Sequence, residues 1–147
     1  MSNYNWSMKI DKTIYQIGRI REKANDFILK ELKQVGVEEV APSHGDILVA
    51  LFHHKELPMT EIANSIHRDR STVTTLINKL LKQGYVLAKK DPNDSRSTII
   101  SLTQKGKELE SSFLQISRKL YEVEYKGIRD EEKEIFQNVL KKVLDNF

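Results

Sequence analysis

Residues 59–86 read MTEIANSIHRDRSTVTTLINKLLKQGYV, and they divide into two helical patterns around a turn. Thr60 to Ile66 reads as a short helix and His67-Arg68 as the turn. From Asp69 to Gln83 the apolar positions Val73, Leu76, Ile77, Leu80 and Leu81 fall on one helical stripe. Gly84 stands where a left-handed C-terminal cap belongs. Ala63, His67 and Val73 occupy the places at which two helices joined by a tight turn need a small residue, a turn residue and an apolar anchor. The turn position favours glycine; histidine tolerates positive φ better than most other side chains.

The second helix of this pair has an unusual outer face. Off the apolar stripe lie Arg70, Ser71, Thr72, Thr74, Thr75, Asn78, Lys79 and Lys82. Each can hydrogen-bond, none is acidic, and most are short. A helix that enters the major groove of DNA needs such a surface, since long or anionic side chains would keep it from the base edges. Asn78 has the geometry to pair with adenine and Lys79 the charge to meet guanine, while the hydroxyls suit bases or phosphates. An ordinary solvent face would mix Glu with Lys at helical spacing.

Directly downstream, Tyr85 to Lys90 and Ser97 to Leu102 are rich in β-branched and aromatic residues and flank the turn sequence DPND, so they read as a hairpin. Arg96 sits at its tip, where it would feel the negative potential of a narrow minor groove. Asp94 lies close enough in sequence to hydrogen-bond the Arg96 guanidinium and fix its direction. A surface salt bridge bracing a loop is the plainer reading of that pair and is worth roughly 0–1 kcal/mol. Placement after a polar helix favours the groove.

Around this centre the chain is helical. Ile10, Ile14, Ile17, Ala24, Phe27, Ile28, Leu32 and Val35 follow a helical period from Met8 to Val35, and Gly36 ends it. Pro42-Ser43 opens another helix, with Ser43 as N-cap, Asp46 three residues on, and an apolar face of Ile47, Leu48, Ala50, Leu51 and Phe52. Thr103 caps a helix that continues from Leu109 through Phe113, Ile116, Leu120 and Val123. Gly127 interrupts, and Asp130 caps a last helix carrying Ile135, Phe136, Val139, Leu140, Val143 and Leu144. The expected fold is mainly α with a small β-hairpin wing.

The 147 residues suit one domain, and the net charge of +3 is unevenly spread. Ile66 to Lys107 holds nine basic and three acidic residues, the remainder 15 basic and 18 acidic. A basic middle between acidic ends points to a polyanion. The absence of cysteine removes disulfides, thiol nucleophiles and thiolate metal sites. No apolar run is long enough to span a bilayer, and MSNYNWSMKIDK lacks the apolar core of an export signal, so the cytoplasm is expected.

HRDRSTVTTLINKLLKQGYV followed by DPNDSRSTIISLTQKG closely resembles the MarR family of bacterial winged-helix transcription regulators. Asp94-x-Arg96-x-x-x-Ile100-x-Leu102-Thr103, then Gly106, matches that family's wing signature. PSHGDILVAL matches the helix before the helix–turn–helix, and DEEKEIFQNVLKKVLDNF the last helix. The resemblance implies a homodimer in which residues 1–36 and 103–147 supply interlocking dimerisation helices. Residues 42–102 would form the winged helix–turn–helix lobe, and two lobes would meet one pseudo-palindromic double-stranded operator. By position, Arg70, Ser71, Thr72, Thr74, Thr75, Asn78 and Lys79 would face the major groove, and Asp94, Arg96 and Ser97 would form the wing contact. Thr60, Arg68, Lys82, Lys89 and Lys90 would hold phosphates, as Arg70 also could. A repressor relieved by a small-molecule effector is the expected mode.

Other chemistries fare less well. His44, His53, His54 and His67 invite a metal-responsive reading, but His53 and His54 are adjacent on an expected helix end and cannot both face one ion, and the C-terminal helices contain no histidine. No metal and no cofactor are expected. No nucleophile–base–acid spacing or phosphate loop suggests an enzyme, and the acids at 130–134 suit a helix N-terminus. A winged-helix adaptor acting through protein contacts would not need an acid-free face. Trp6, Tyr15, Phe27 and Tyr121 could line an effector pocket, although aromatics at helical spacing are more often core.

Overall fold

A computed structural model describes residues 10–147. Met8, where the first helix was expected to begin, and Trp6 lie outside the described residues. Ile10 to Lys12 are not helical: α1 spans Thr13–Gln34, and Asp11 Oδ1 accepts from the Thr13 N–H at 2.7 Å. The chain continues through α2 (Pro42–His53), β1 (Glu56–Pro58), α3 (Met59–Ile66) and α4 (Arg70–Lys82). It then forms β2 (Val86–Lys90), β3 (Thr98–Leu102), α5 (Gln104–Lys107), α6 (Glu110–Glu124) and α7 (Asp130–Asp145).

Two caps and one helix differ from the sequence expectation. Ala41, not Ser43, is the N-cap of α2, and Pro42 occupies the first helical position, where its missing N–H costs nothing. His44 then does the work expected of a Glu or Gln at that place: its Nδ1 accepts from the Ala41 N–H at 2.8 Å. At α7 the N-cap is Arg129 rather than Asp130, and Glu132 reaches back to the Arg129 N–H at 3.2 Å. The helix after Thr103 is broken at Glu108–Leu109 into α5 and α6.

The wing is a three-stranded antiparallel sheet in the order β1-β3-β2 rather than a hairpin alone. The extra strand is three residues long and ends in Pro58, which lacks a donor and so suits only an edge. It joins because Leu57 is buried opposite Ile100. On the other side Val86 pairs with Leu102 and Lys90 with Thr98.

The core lies beneath α4. Val73, Ile77 and Leu80 from α4 pack with Ile47, Leu48 and Leu51 from α2, Ile62 from α3, and Val86 and Ile100 from the sheet. Gly84 takes φ +76, so the chain turns back sharply from α4 into β2. The Thr103 hydroxyl donates to the Gly84 carbonyl at 2.6 Å and accepts from the Gly106 N–H at 3.0 Å, tying α5 to that turn. A Cβ on Gly106 would collide with the Tyr85 carbonyl oxygen, which accounts for glycine there.

The last helix is different. No residue of α7 is buried, and Ile135, Phe136, Val139, Leu140 and Leu144 are exposed. Its main ties to α6 are polar: Lys133 Nζ donates to the Tyr121 hydroxyl at 2.6 Å and Gln137 Nε2 to the Tyr125 hydroxyl at 3.0 Å.

Candidate nucleic-acid interface

The turn between α3 and α4 has the geometry its sequence asked for. His67 is left-handed at φ 53 and ψ 46, its N–H donates to the Asn64 carbonyl, and Arg68 N–H donates to that of Ala63. Ala63 is buried and Val73 fully so. This sets the angle between the two helices and leaves the opposite side of α4 open.

Asp69 caps α4. One carboxylate oxygen accepts both the Thr72 N–H at 2.7 Å and the Ser71 hydroxyl at 3.0 Å. Those bonds, led by the one to the Thr72 N–H, hold the Asp69 carboxyl below its ordinary pKa and keep it ionised. Thr74 and Thr75 donate their hydroxyl protons to the carbonyls of Arg70 and Ser71, at 2.9 and 3.2 Å. With the donors turned inward, both side chains offer methyl groups and oxygen lone pairs to the outside. Methyls suit the thymine methyl, and lone pairs suit base amino groups.

At about 100° per residue, the outward face of α4 holds Ser71, Thr74, Thr75, Asn78 and Lys82, and all five are exposed. Thr72 and Lys79 lie on one flank and are half-buried. Lys79 Nζ meets Glu39 Oε2 at 3.1 Å, across 40 positions of sequence. Beside it Gln83 Nε2 donates to the Glu38 carbonyl at 3.0 Å. Neither contact has a local sequence signal; two patterned segments and the loop between them must first fold together.

Arg70 begins α4, and Arg68 precedes its cap; both are exposed, as is Thr60 at the start of α3. In the wing, Lys89 pairs with Glu56 of the unforeseen β1 at 3.1 Å. Arg68, Arg70, Lys82, Lys90 and Arg96 make no ion pair among the described residues.

The wing tip departs from expectation in one respect. Asp94 does not hold the Arg96 guanidinium; its Oδ1 accepts from the Arg96 backbone N–H at 3.0 Å. A short carboxylate bonding two residues on is an Asx turn, which competes well with the longer reach to a guanidinium. Ser97 N–H donates to the Asp94 carbonyl and Asp91 N–H to that of Ser97, closing the loop. Arg96 is therefore held at its backbone and free at its head.

α2 ends at His53 and the chain becomes extended at His54; both residues line an open cleft with Asp46, Ser65 and His67. Among the described residues, no three acids or histidines are spaced to hold a metal ion. A separate cavity of about 340 Å³ lies between α1, α2 and α6, with Arg21, Asn25, Ile28, Asp46, Phe113 and Leu120 in its wall. Tyr15, Phe27 and Tyr121 do not line it.

An anchored turn, a helix with a polar outward face and a sheet beside it define a winged helix–turn–helix protein. The sequence profile of the MarR family matches residues 41–98. The HTH-type transcriptional regulator SarZ of Staphylococcus aureus is 31% identical over 101 residues, covering 69% of this chain and 68% of SarZ. Among solved structures, a MarR protein from Peptoclostridium difficile superposes with a TM-score of 0.85 at 22% identity, over 99% of this chain and 94% of that one. The S. aureus MepR–DNA complex gives 0.84 at 23% identity, over 92% and 98%. The chain belongs to the MarR family; it is a transcription regulator, not an enzyme.

Proposed function

We propose that this protein is a homodimeric repressor that binds a pseudo-palindromic double-stranded operator in the cytoplasm and is released from it by a small-molecule effector. The observation that carries the reading is the outward face of α4: five exposed side chains, each a hydroxyl, amide or ammonium, on a helix whose cap and turn are rigidly bonded. Ser71, Thr74, Thr75 and Asn78 read base edges, joined at the margins by Arg70 and Thr72. Lys79, expected to meet guanine, is turned to Glu39 on the flank of α4 and serves instead as a reserve cation for phosphate. Arg96 enters the adjacent minor groove from a loop shaped by Asp94 and Ser97. Thr60, Arg68, Lys82, Lys89 and Lys90 position the phosphates. The crystallised MepR complex, a relative in fold, contains DNA.

Dimerisation through residues 1–36 and 103–147 is supported by the apolar residues that α1, α6 and α7 leave in solvent, among them Ile14, Leu114, Val123 and Leu140. The lobe of residues 42–102 then stands twice on one two-fold axis, which a palindromic site mirrors. The cavity between α1, α2 and α6 supports an effector that acts by favouring a lobe spacing mismatched to successive major grooves, limited by its differential affinity for the two arrangements.

The test is enrichment of duplexes from a random library by the purified protein. A two-fold symmetric consensus, bound by a dimer in sedimentation, is the expected outcome. Failure to enrich any duplex would overturn the reading. A consensus without symmetry would overturn its dimeric part.

A further inference from the structure

The outward face of α4 carries no acid in sequence, yet the fold brings one to its margin. Glu39 lies in the α1–α2 connection, 40 residues from Lys79, and its carboxylate meets the Lys79 ammonium at 3.1 Å. The approach is built by backbone and not by chance reach. Glu39 itself is left-handed at φ 57, and the preceding Gly36 takes φ 84. The Glu38 carbonyl is pinned to α4 by Gln83 Nε2. The Glu39 side chain is 79% exposed and that of Lys79 36%. A pair so open to water adds little to stability, so its consequence lies in what Lys79 is free to do. Lys79 follows Thr75 by one turn and precedes Lys82 by three residues, so its stem starts at the edge of the outward face. From there the ammonium can turn to the connection or across toward a phosphate.

We propose that Glu39 is an affinity-limiting residue: it holds the Lys79 ammonium off the DNA and so keeps one cation out of the phosphate contacts. The inference rests on the DNA-binding reading above. When the duplex docks, Lys79 either remains a neutral pair with Glu39 or gives up that pair to reach a phosphate. Both routes lower affinity for every sequence alike, because a phosphate contact carries no base information. The protein thereby depends more on Ser71, Thr74, Thr75 and Asn78, and discriminates better between sites.

The experiment compares the full-length parent, Glu39→Gln, Lys79→Gln and the double variant, titrated against the enriched duplex and against a 30-base-pair duplex of unrelated sequence. Glutamine keeps the side-chain length and meets the same backbone demand, and both positions are on the surface; thermal melts check that all four fold. Glu39→Gln is expected to bind both duplexes about three- to tenfold more tightly and to steepen the salt slope by about one counterion. In the Lys79→Gln background the same change is expected to have little effect. Unchanged affinity in Glu39→Gln overturns the inference while leaving the DNA reading intact. An equal gain with or without Lys79 also overturns it, since Glu39 would then act on DNA directly. A parent that binds neither duplex overturns the DNA reading and this inference with it.

Discussion

The outward faces of α4 and α7 are both exposed, and their chemistry is opposite. On α4 the exposed side chains are Ser71, Thr74, Thr75, Asn78 and Lys82; on α7 they include Ile135, Phe136, Val139, Leu140 and Leu144. Behind α4 lies a core in which Val73 and Leu80 are fully buried, so its outward face is free to be polar. Among the described residues, nothing behind α7 buries one of its side chains. A polar face of short, internally bonded side chains is complete in water and waits for a polar ligand. A helix with five exposed large apolar residues is incomplete, and in the proposed homodimer a second copy of the chain covers it.

The sharpest way to break that contrast is to charge the apolar face. Phe136→Glu with Leu140→Glu is expected to give a monomer in sedimentation and to abolish measurable operator binding, because each lobe would then meet its half-site alone. The lobe should keep its helical content, since neither residue packs into the core beneath α4. A charged double variant that stayed dimeric would place the interface elsewhere.

Charge governs the other face. Several exposed cations near α4 and the wing should each release counterions, so affinity is expected to fall about a thousandfold or more between 50 and 200 mM salt. Association carried by the apolar residues of α7 is expected to be nearly salt-independent over that range. Within the α4 face, Asn78→Ala should cost about 1–3 kcal/mol and relax preference at one symmetric base position per half-site. Uniform weakening across all bases would move Asn78 from reading to mere positioning.

The wing contributes less. Arg96→Ala should weaken binding most where the flanking sequence is A·T-rich and the minor groove narrow. Asp94→Ala frees the loop but leaves the guanidinium, so its effect should be the smaller of the two and in the same direction. Titration against duplexes with A·T- and G·C-rich flanks separates the variants. Equal loss on every flank would make Arg96 a phosphate contact.

Much of this contrast is legible in the residue order, and the reason is periodicity. The stripes Val73–Leu80 and Ile135–Leu144 declare helices, and Gly84 and Thr103 mark ends through the backbone geometry and hydroxyl they supply. What stays illegible depends on contacts between distant segments or on competition between nearby groups. β1 carries only three residues and a proline, and exists because Leu57 finds Ile100. Glu39 reaches Lys79 only after α1 and α4 are placed. At the wing tip the pairing of Asp94 with Arg96 is legible, but whether backbone or guanidinium receives the bond is settled by geometry. At α2, Ser43 has the residue type of a cap, yet Pro42 prefers the first helical position and moves the cap back to Ala41.

That shifted cap leads to the smallest expected effect, which acts on the α4 lobe and spares α7. His44 is buried and its Nδ1 accepts from the Ala41 N–H, a bond only the neutral ring can accept. Burial holds the imidazole below its ordinary pKa, and the nearby Lys79 ammonium pushes the same way. A histidine depressed in the folded state binds its proton more readily when unfolded. Stability from this group is therefore full above the unfolded value near 6.5, falls as pH drops through it, and levels off below the folded value. Acid should thus lower the melting temperature of the lobe and with it DNA binding, and is expected to spare the proposed association through α7. His44→Gln supplies an acceptor of the kind that suits this helix position and does not titrate. The variant should keep its melting temperature between pH 7.5 and 5.5 better than the parent does. Equal losses in parent and variant would show that the acid sensitivity arises elsewhere, and that the cap beneath α4 is indifferent to protons.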